Sequence, residues 1–318
     1  MNQTIRSIAL KKVIVRKFYD CFIHSFKPAF KTIKWLLSLM IPISFAVMLL
    51  GYSGILVWMA NYTAPLVKLI GLRGESALVL LTSGFLNIYS AIAVIETLTL
   101  TSREICILAI MCLISHNLIV ETAVQKKTGS NGLWMVILRI STAIVAGYLL
   151  NLVLPVDSTL HSAKVTSAIT HTFTETLFIW VKDTYHLILK IIIIIFLLNF
   201  LQRIMDEFSI TVWLSKLMSP VLKFFGLPEQ ASFMWLIANI IGLAWGSTVL
   251  IEQTEKGKIS KTEADLLNHH IAISHSLLED TLLFAALGVS VIWITFPRLI
   301  LAFIAVWAYR IFFLKLKR

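Results

Sequence analysis

Long apolar segments, each bounded or interrupted by a few polar residues, make up most of the first half of this chain. They cover residues 33–51, 54–70, 76–100, 103–123 and 133–154. A helix needs roughly 20 apolar residues to cross the hydrocarbon core of a membrane, and most of these segments approach that length. The pattern predicts membrane-spanning helices rather than the core of a soluble protein.

The second half of the chain repeats this order. After an amphipathic stretch at 164–183, apolar segments follow at 184–204, 209–225, 231–252 and 289–312. The order of these segments follows that of the first half, which is the pattern expected of an internal repeat.

Two short sequences recur between the halves at an offset of about 155–159 residues. ISHNLIVET at 114–122 matches ISHSLLEDT at 273–281, and APLVKLIGL at 64–72 matches SPVLKFFGL at 219–227. Apolar helices share Leu and Ile by chance, but the shared Pro, Lys, Gly, Ser, His and Thr at matched spacing indicate a duplication.

Small and polar residues interrupt one apolar segment in each half. They are Ser83, Gly84 and Asn87 in the first half, and Asn239, Gly242, Gly246 and Ser247 in the second. Such breaks predict discontinuous or re-entrant helices, which a membrane tolerates only where the backbone faces protein or water. Two interpretations stay open: the freed backbone groups line a ligand site, or the small residues allow close helix packing.

The composition supports the membrane assignment, since the 318 residues are 58% hydrophobic and only 14% charged. The net charge of +11 could suggest nucleic-acid binding. In a membrane protein, however, Lys and Arg accumulate on the cytoplasmic side, so we expect no nucleic-acid partner. The predicted fold class is therefore an all-α polytopic membrane protein with two inverted repeats that contain broken or re-entrant helices.

The distribution of positive charge predicts the orientation. If each interrupted segment returns to its own side, each half has three spans and the two halves are inverted. With both termini cytoplasmic, 20 of the 28 Lys and Arg residues then lie on the inner side, as the positive-inside rule requires. We expect a multi-pass protein of the inner (plasma) membrane.

The N-terminal segment is basic and amphipathic and lacks the apolar core and cleavage site of a signal peptide. It is predicted to form a helix on the cytoplasmic surface of the membrane. The predicted organisation is a surface helix at 1–30, a first repeat at 31–155 and a second repeat at 160–318.

Three features resemble the nucleoside-recognition, or Gate-domain, family of membrane proteins: the Gly-Leu joins at 71–72 and 226–227, the helices broken by Gly and Asn, and the His-containing helices with trailing acids. That family includes the bacterial spore maturation proteins A and B and the membrane portion of ferrous-iron transporter B. The resemblance implies two inverted Gate units whose interrupted helices meet near the membrane midplane. The chain contains no GxxxxGK[ST] sequence, the phosphate-binding loop of a GTPase.

The recurring His is the leading candidate for function, because imidazole donates and accepts hydrogen bonds and titrates near neutral pH. Carboxylates within a bilayer are costly unless paired, protonated or hydrated, which makes the trailing acids candidates as well. Inverted copies would bring both His residues and these acids towards one centre. The predicted substrate-binding residues are His116, His275, Asn87, Asn239, Ser115, Ser274, Asn117, Glu121, Glu279, Asp280, Gly84, Gly242 and Ser247.

Continuous helices would place Asn117 with Glu121, and His275 with Glu279, on shared faces at i,i+4 spacing. Against a role in binding, Glu121 and Asp280 lie late in their segments and could be helix-end residues at the membrane interface. Both interpretations of these acids stay open.

Imidazole and carboxylate ligands for a metal ion could come from His269, His270, His275, Glu279 and Asp280. Adjacent residues on a helix point about 100° apart, so the neighbouring His pair cannot easily face one ion. We therefore predict no metal ion and no other cofactor. Each Ser-His pair is also adjacent in sequence, which places the two side chains on different faces. The sequence therefore predicts no enzyme.

Two functions remain as hypotheses. The first is a transporter-like protein that binds a small polar solute or ion, nucleoside-like by the family name, between two inverted repeats. The second is a non-transporting membrane assembly or scaffold protein, which the spore-maturation resemblance allows. The lipid bilayer is the expected environment in both cases, a homo-oligomer is compatible with both, and the sequence does not identify the solute.

Overall fold

A computed structural model describes residues 2–156, 172–240, 242 and 250–314. Regular structure in these ranges is helical, without a β-strand. Five helical segments of the described chain are long and apolar enough to cross a membrane: Lys12–Tyr52, Ser102–Lys127, Gly132–Val153, Phe173–Glu207 and Val291–Phe312. The chain is therefore an all-α polytopic membrane protein, which confirms the predicted fold class.

The two halves contain matching series of helices. The first half consists of α1 Asn2–Tyr52, α2 Ile55–Val67, α3 Ser76–Phe85, α4 Ile88–Ile95, α5 Ser102–Ser115, α6 Leu118–Lys127 and α7 Gly132–Val153. The second half consists of α8 Phe173–Glu207, α9 Ile210–Phe224, α10 Ser232–Ile240, a helical segment at 250–255 (α11), α12 Lys261–Ser274, α13 Glu279–Ala286 and α14 Val291–Tyr309.

The interruption predicted within 76–100 lies at Leu86 and Asn87, between α3 and α4. Asn87 has an extended backbone, and its side-chain oxygen accepts a hydrogen bond from the Ser90 N–H at 2.9 Å. Asn is a favourable helix N-cap because its side chain satisfies a free backbone donor. In the second half α10 ends at Ile240, and Gly246 and Ser247 lie outside the described residues.

Helix α1 continues without a break across residue 30, the predicted boundary between a surface helix and the first span. Its N-terminal part packs against the far end of α8, where Lys17 pairs with Glu207 at 2.9 Å. In the next turn Phe22 meets Phe196 with their ring centroids 5.4 Å apart. A position on the membrane surface and the boundaries of the two repeats stay predictions.

Each His-bearing helix begins with the same reciprocal cap. At the start of α5, Thr101 accepts from the Glu104 N–H and Glu104 accepts from the Thr101 N–H. Ser260 and Glu263 form the same capping box at the start of α12. The Glu that lies 12 positions before each His, Glu104 or Glu263, therefore has a structural role as part of a helix cap. In the first half Arg73 also binds Glu104 at 2.8 Å, and this hydrogen bond raises the pKa of Arg73.

The two Gly-Leu joins have the same backbone conformation, since Gly71 and Gly226 both have φ of 76°. That left-handed region favours glycine because a Cβ atom would clash with the backbone. Gly71 packs against Asn151, whereas Gly226 packs against Trp307 and Arg310. The joins therefore share a backbone conformation at the glycine and differ in the neighbour that covers it.

The centre of the molecule is formed by α5 packed on α7, α12 packed on α14, and contacts between these two pairs. Polar groups of α12 cross to the first half at one end of this centre. Asn268 donates to Thr128 Oγ1 at 2.8 Å, and Trp134 donates to His269 Nε2 at 2.9 Å. Hydrogen bonds between the halves thus fix their relative position.

Candidate functional site

The helix predicted at 103–123 is broken at its recurring His. Helix α5 ends at Ser115, His116 has an extended backbone, and Asn117 is left-handed with φ of 49° before α6 begins. Asn enters this region more readily than most residues. The freed Asn117 N–H donates to the Ser83 carbonyl at 2.9 Å, so the neighbouring broken helix satisfies it.

The second half has the same break. Helix α12 ends at Ser274, His275 is extended, and Ser276 is left-handed with φ of 52°. The Ser276 N–H donates to the Ala238 carbonyl at 2.9 Å. Ala238 occupies the repeat position of Ser83, so each half uses one broken helix to hold the break in another.

These breaks invalidate the helical register on which the predicted i,i+4 pairs were based. His116 Nε2 instead lies 3.1 Å from Oε1 of Glu121, five residues away in sequence. Glu279 does not depend on His275 for a partner, because its Oε1 accepts from the Tyr89 hydroxyl of the first half at 2.6 Å. The extended residue between the helices turns each His towards the opposite half.

The two His side chains meet at the interface between the halves, with Nε2 atoms 3.4 Å apart. Each Nδ1 lies against a carbonyl of the preceding turn, at 3.0 Å from Cys112 O and 2.8 Å from Ile271 O. A carbonyl can only accept, so both Nδ1 atoms carry the proton. In the neutral imidazoles the Nε2 lone pairs therefore point into the centre.

Two carboxylates complete this centre. Glu121 Oε2 lies 3.0 Å from His275 Nε2, so Glu121 contacts the His of each half. Asp280 Oδ2 lies 3.4 Å from His116 Nε2. The side chains of both acids are only 3% and 5% exposed, which does not fit exposed helix ends at an interface. We call the set His116, His275, Glu121 and Asp280 the paired centre.

A buried arginine supports each break, and sequence reasoning missed both. Arg139 donates from Nε to the Ile114 carbonyl at 2.8 Å and from Nη2 to the His116 carbonyl at 2.6 Å. Arg298 makes the corresponding bonds to Ile273 and His275. Arg139 Nη2 also pairs with Glu121 Oε2 at 2.8 Å. Their spacing from the recurring His is identical in the two halves, and this was the available signal.

The remaining predicted residues divide between the cavity wall and the protein interior. Asn87 and Asn117 line the cavity described below. Asn239 is buried and donates to the Trp235 carbonyl, and Gly84 is buried where α3 passes the α5–α6 break. Gly242 has φ of 88° and lies against Ser276 and Glu279. These residues were predicted to form one matched set, but they lie in different surroundings in the two halves.

The two Ser residues that precede the recurring His face away from the paired centre. Ser115 donates to the Met111 carbonyl, one turn back along α5, at 2.8 Å. Ser274 Oγ lies 2.8 Å from Nδ1 of His270, also one turn back. Neither hydroxyl contacts the adjacent His imidazole, so these pairs do not form a nucleophile and base.

A cavity of about 1160 Å³ extends from α1 to the paired centre. The acids and imidazole of its inner wall are His116, Glu121, Glu279 and Asp280. The outer wall carries basic side chains from α1, Lys27, Lys31 and Lys34, together with His24 and Arg203. Ligand cavities in proteins are commonly about 300–1,000 Å³, so this one can hold a small organic molecule.

The chain is similar to a bacterial membrane protein. It is 28% identical over 279 residues to the uncharacterized membrane protein YvoD of Bacillus subtilis (strain 168), and the match covers 85% of this chain and 88% of YvoD. No protein-family model matches the chain. No solved structure matches it either. The similarity supports membrane localisation and assigns no activity.

Proposed function

We propose that this protein is a transporter-like membrane protein that binds a small polar solute or ion at the paired centre. The observation that carries the proposal is that both halves contribute buried polar groups to one point on a cavity wall. Membrane proteins keep such groups in the bilayer where they bind or move a solute, because burying them without a partner is costly.

The broken helices support the same function. Transporters commonly place their sites between two repeats, at helices interrupted near the middle of the membrane. Here four interruptions surround the centre: those between α3 and α4, α5 and α6, and α12 and α13, and the end of α10. The resemblance to the Gate-domain family agrees with this proposal and suggests nucleoside-like solutes as the first to test.

The charges of the cavity narrow the solute class. Lys27, Lys31 and Lys34 on the outer wall favour a solute that carries a negative group, because an anion gains from nearby positive charge. The inner wall offers imidazole and carboxylate groups, which bind hydroxyl, amino or cationic groups. In this proposal the chain lies in the plasma membrane with both termini cytoplasmic, and it has no catalytic role.

Uptake into liposomes that contain the purified full chain tests the proposal. Nucleosides, organic anions and divalent metal ions are supplied in turn, with the wild type, His116→Ala and His275→Ala. Loss of a hydrogen bond to a charged group is worth about 1.5–3 kcal/mol, so we expect uptake to fall at least about tenfold in both variants. His186→Ala, at an exposed position of α8, is the matched control.

Two results contradict the proposal. One is that the wild type takes up none of these solutes and shows no thermal shift with any of them. The other is that uptake is unchanged in the double variant His116→Ala/His275→Ala. In the first case an assembly role would explain the protein better. In the second case transport would not depend on the paired centre.

A further inference from the structure

We infer that the paired centre is a site for a divalent transition-metal ion, with His116, His275 and Asp280 as ligands and Glu121 beside them. This inference rests on the proposed function, because it treats the metal ion as part of the solute that the paired centre binds. One imidazole nitrogen from each His and one Asp280 oxygen lie within 4.8 Å of one another.

The hydrogen-bonding pattern leaves this centre with acceptors and no donor among its own four residues. Both Nδ1 protons are committed to backbone carbonyls, at Cys112 and Ile271, so the neutral imidazoles present two lone pairs. Glu121 and Asp280 add carboxylate oxygens. Lone pairs that face one another repel, and a cation between them removes the repulsion.

Two separations between ligand atoms match those of ligands around one ion, within a set that spans up to 4.8 Å. A tetrahedral site with metal–ligand bonds of about 2.0–2.1 Å has ligand atoms about 3.3–3.4 Å apart. The two Nε2 atoms are 3.4 Å apart, and His116 Nε2 is 3.4 Å from Asp280 Oδ2. Glu121 oxygens lie 3.1 and 3.0 Å from the two Nε2 atoms.

The surroundings also fit a metal site. Asp280 Oδ2 is buried without a hydrogen-bond partner in the described structure, and it faces the two imidazoles. Metal-binding His residues usually donate their other N–H to a carbonyl or carboxylate, which fixes the ring and the tautomer. Cys112 O and Ile271 O hold the two rings in this way. Arg139 orients Glu121 through a pair at 2.8 Å.

The donor set selects the class of metal. Two imidazoles with carboxylates suit Zn²⁺, Fe²⁺ or Mn²⁺, whereas Ca²⁺ and Mg²⁺ prefer oxygen ligands alone and Cu⁺ prefers sulfur. The lysines of the outer wall attract an anion, which can fill the open coordination position once the ion is bound.

The metal set weighed from the sequence contains His275 and Asp280 of this centre but lacks His116 and Glu121. His269 and His270 do not reach the paired centre, because their rings are bonded to Trp134 and Trp235. The ligands come instead from equivalent positions of the two halves, 159 residues apart. Spacing within one helix could not show this combination.

Equilibrium binding to the detergent-solubilised full chain tests the inference without requiring transport. Zn²⁺ is titrated by calorimetry, and Co²⁺ is followed by its visible absorption, which reports the coordination geometry. The variants are His116→Gln, His275→Gln and Asp280→Asn, which keep the side-chain size. His186→Ala is the control, and circular dichroism with gel filtration checks that each variant folds.

We expect one ion per chain in the wild type and the control. Each ligand variant should bind at least roughly 10–100-fold more weakly, since removal of even an outer-shell partner has that effect. No binding to the wild type, or equal binding by all three variants, overturns the inference. A centre that holds only a proton gives the first of these results.

Metal binding and solute uptake, measured on the same purified proteins, distinguish this inference from the proposed function. If the wild type binds no metal but takes up an organic solute in a His116-dependent manner, the proposed function stands and the metal site fails. If metal binds as expected but no solute crosses the membrane, the metal site stands and transport fails.

Discussion

Helices α5 and α12 are equivalent in the repeat, yet their interiors differ. Apart from its cap, α5 buries only apolar residues up to Ser115, and it packs in the middle of the core. Helix α12 buries Asn268, His269 and His270 at the corresponding depth. All three side chains form hydrogen bonds. Asn268 and His269 bond to residues of the first half, and His270 bonds to Trp235 of its own half. The same helix position can therefore hold buried polar side chains where neighbouring groups supply their hydrogen-bond partners.

The largest effect should come from the buried arginines, which the two halves share but use differently. Arg139→Met removes the partner of the buried Glu121, and breaking such a pair costs about 3–5 kcal/mol. Arg298→Met leaves two carbonyls without donors, about 1–3 kcal/mol each, and Arg139→Met adds the same loss to its broken pair. Unfolding of the purified proteins in detergent measures both. A smaller loss for Arg139→Met than for Arg298→Met would contradict the role of Glu121.

Exchanging one residue between the two helices tests why α12 is polar. Ala109 of α5 occupies the repeat position of Asn268. Ala109→Asn buries an amide among apolar side chains and should lower the free energy of unfolding by about 2–4 kcal/mol. Asn268→Ala should lower it by about 1–3 kcal/mol, because Thr128 and Ser130 lose their donor.

Thermal melting in detergent is the measurement for this exchange. Ala109→Ser, a smaller polar change at the same position, serves as the control for steric crowding. If Ala109→Asn melts like the wild type, then α5 has polar partners that the described contacts do not include, and the comparison of the two helices fails.

The two glycine joins should differ less. Both Gly71→Ala and Gly226→Ala place a Cβ in the left-handed region, which costs about 1–2 kcal/mol. At Gly71 the new atom would also stand 1.9 Å from Asn151 Oδ1 and displace its contact with Arg103. At Gly226 the nearest atom is 3.2 Å away. We expect a larger drop in melting temperature for Gly71→Ala, and equal drops would show that Asn151 moves freely.

The capping boxes should give the smallest effect. Thr101→Ala and Ser260→Ala each remove an N-cap, worth about 1 kcal/mol. Thr101→Ala should be the more destabilising, because Glu104 is buried and also holds Arg73. Urea or detergent denaturation of the two variants, with Thr101→Ser as the conservative control, compares them. If both variants unfold at the same denaturant concentration as the wild type, packing alone determines where α5 and α12 begin.

Much of the fold could be predicted from the sequence, because its signals are local or repeated. Apolar length identified the helices, and polar identities at a fixed offset identified the duplication. The breaks at His116 and His275 could not be predicted, since neither sequence contains Gly or Pro there. Their extended and left-handed residues are held by carbonyls of α3 and α10, which are distant in sequence.

The candidate site was predictable in part. Repetition singled out both His residues, and Glu121 and Asp280 followed from the cost of a charge in the bilayer. In the sequence, Arg139 and Arg298 resemble ordinary basic residues within or beside spans, and only their matched spacing from each His sets them apart. Which acid faces which His depends on the contact between the halves, and no local spacing contains that information.

The hydrogen bonds that cross between the halves have a consequence for the history of the chain. A duplicated ancestor could have paired two identical halves, but each present half would lose a hydrogen bond if it paired with its own copy. Two second halves would keep a Trp, Trp293, opposite His269 but would face Asp265 with Val289, so Asp265 would lose its Ser130 donor. Two first halves would face Trp134 with Ile110. The polar contacts between the halves are therefore asymmetric, and replacing either half by a copy of the other would remove at least one of them.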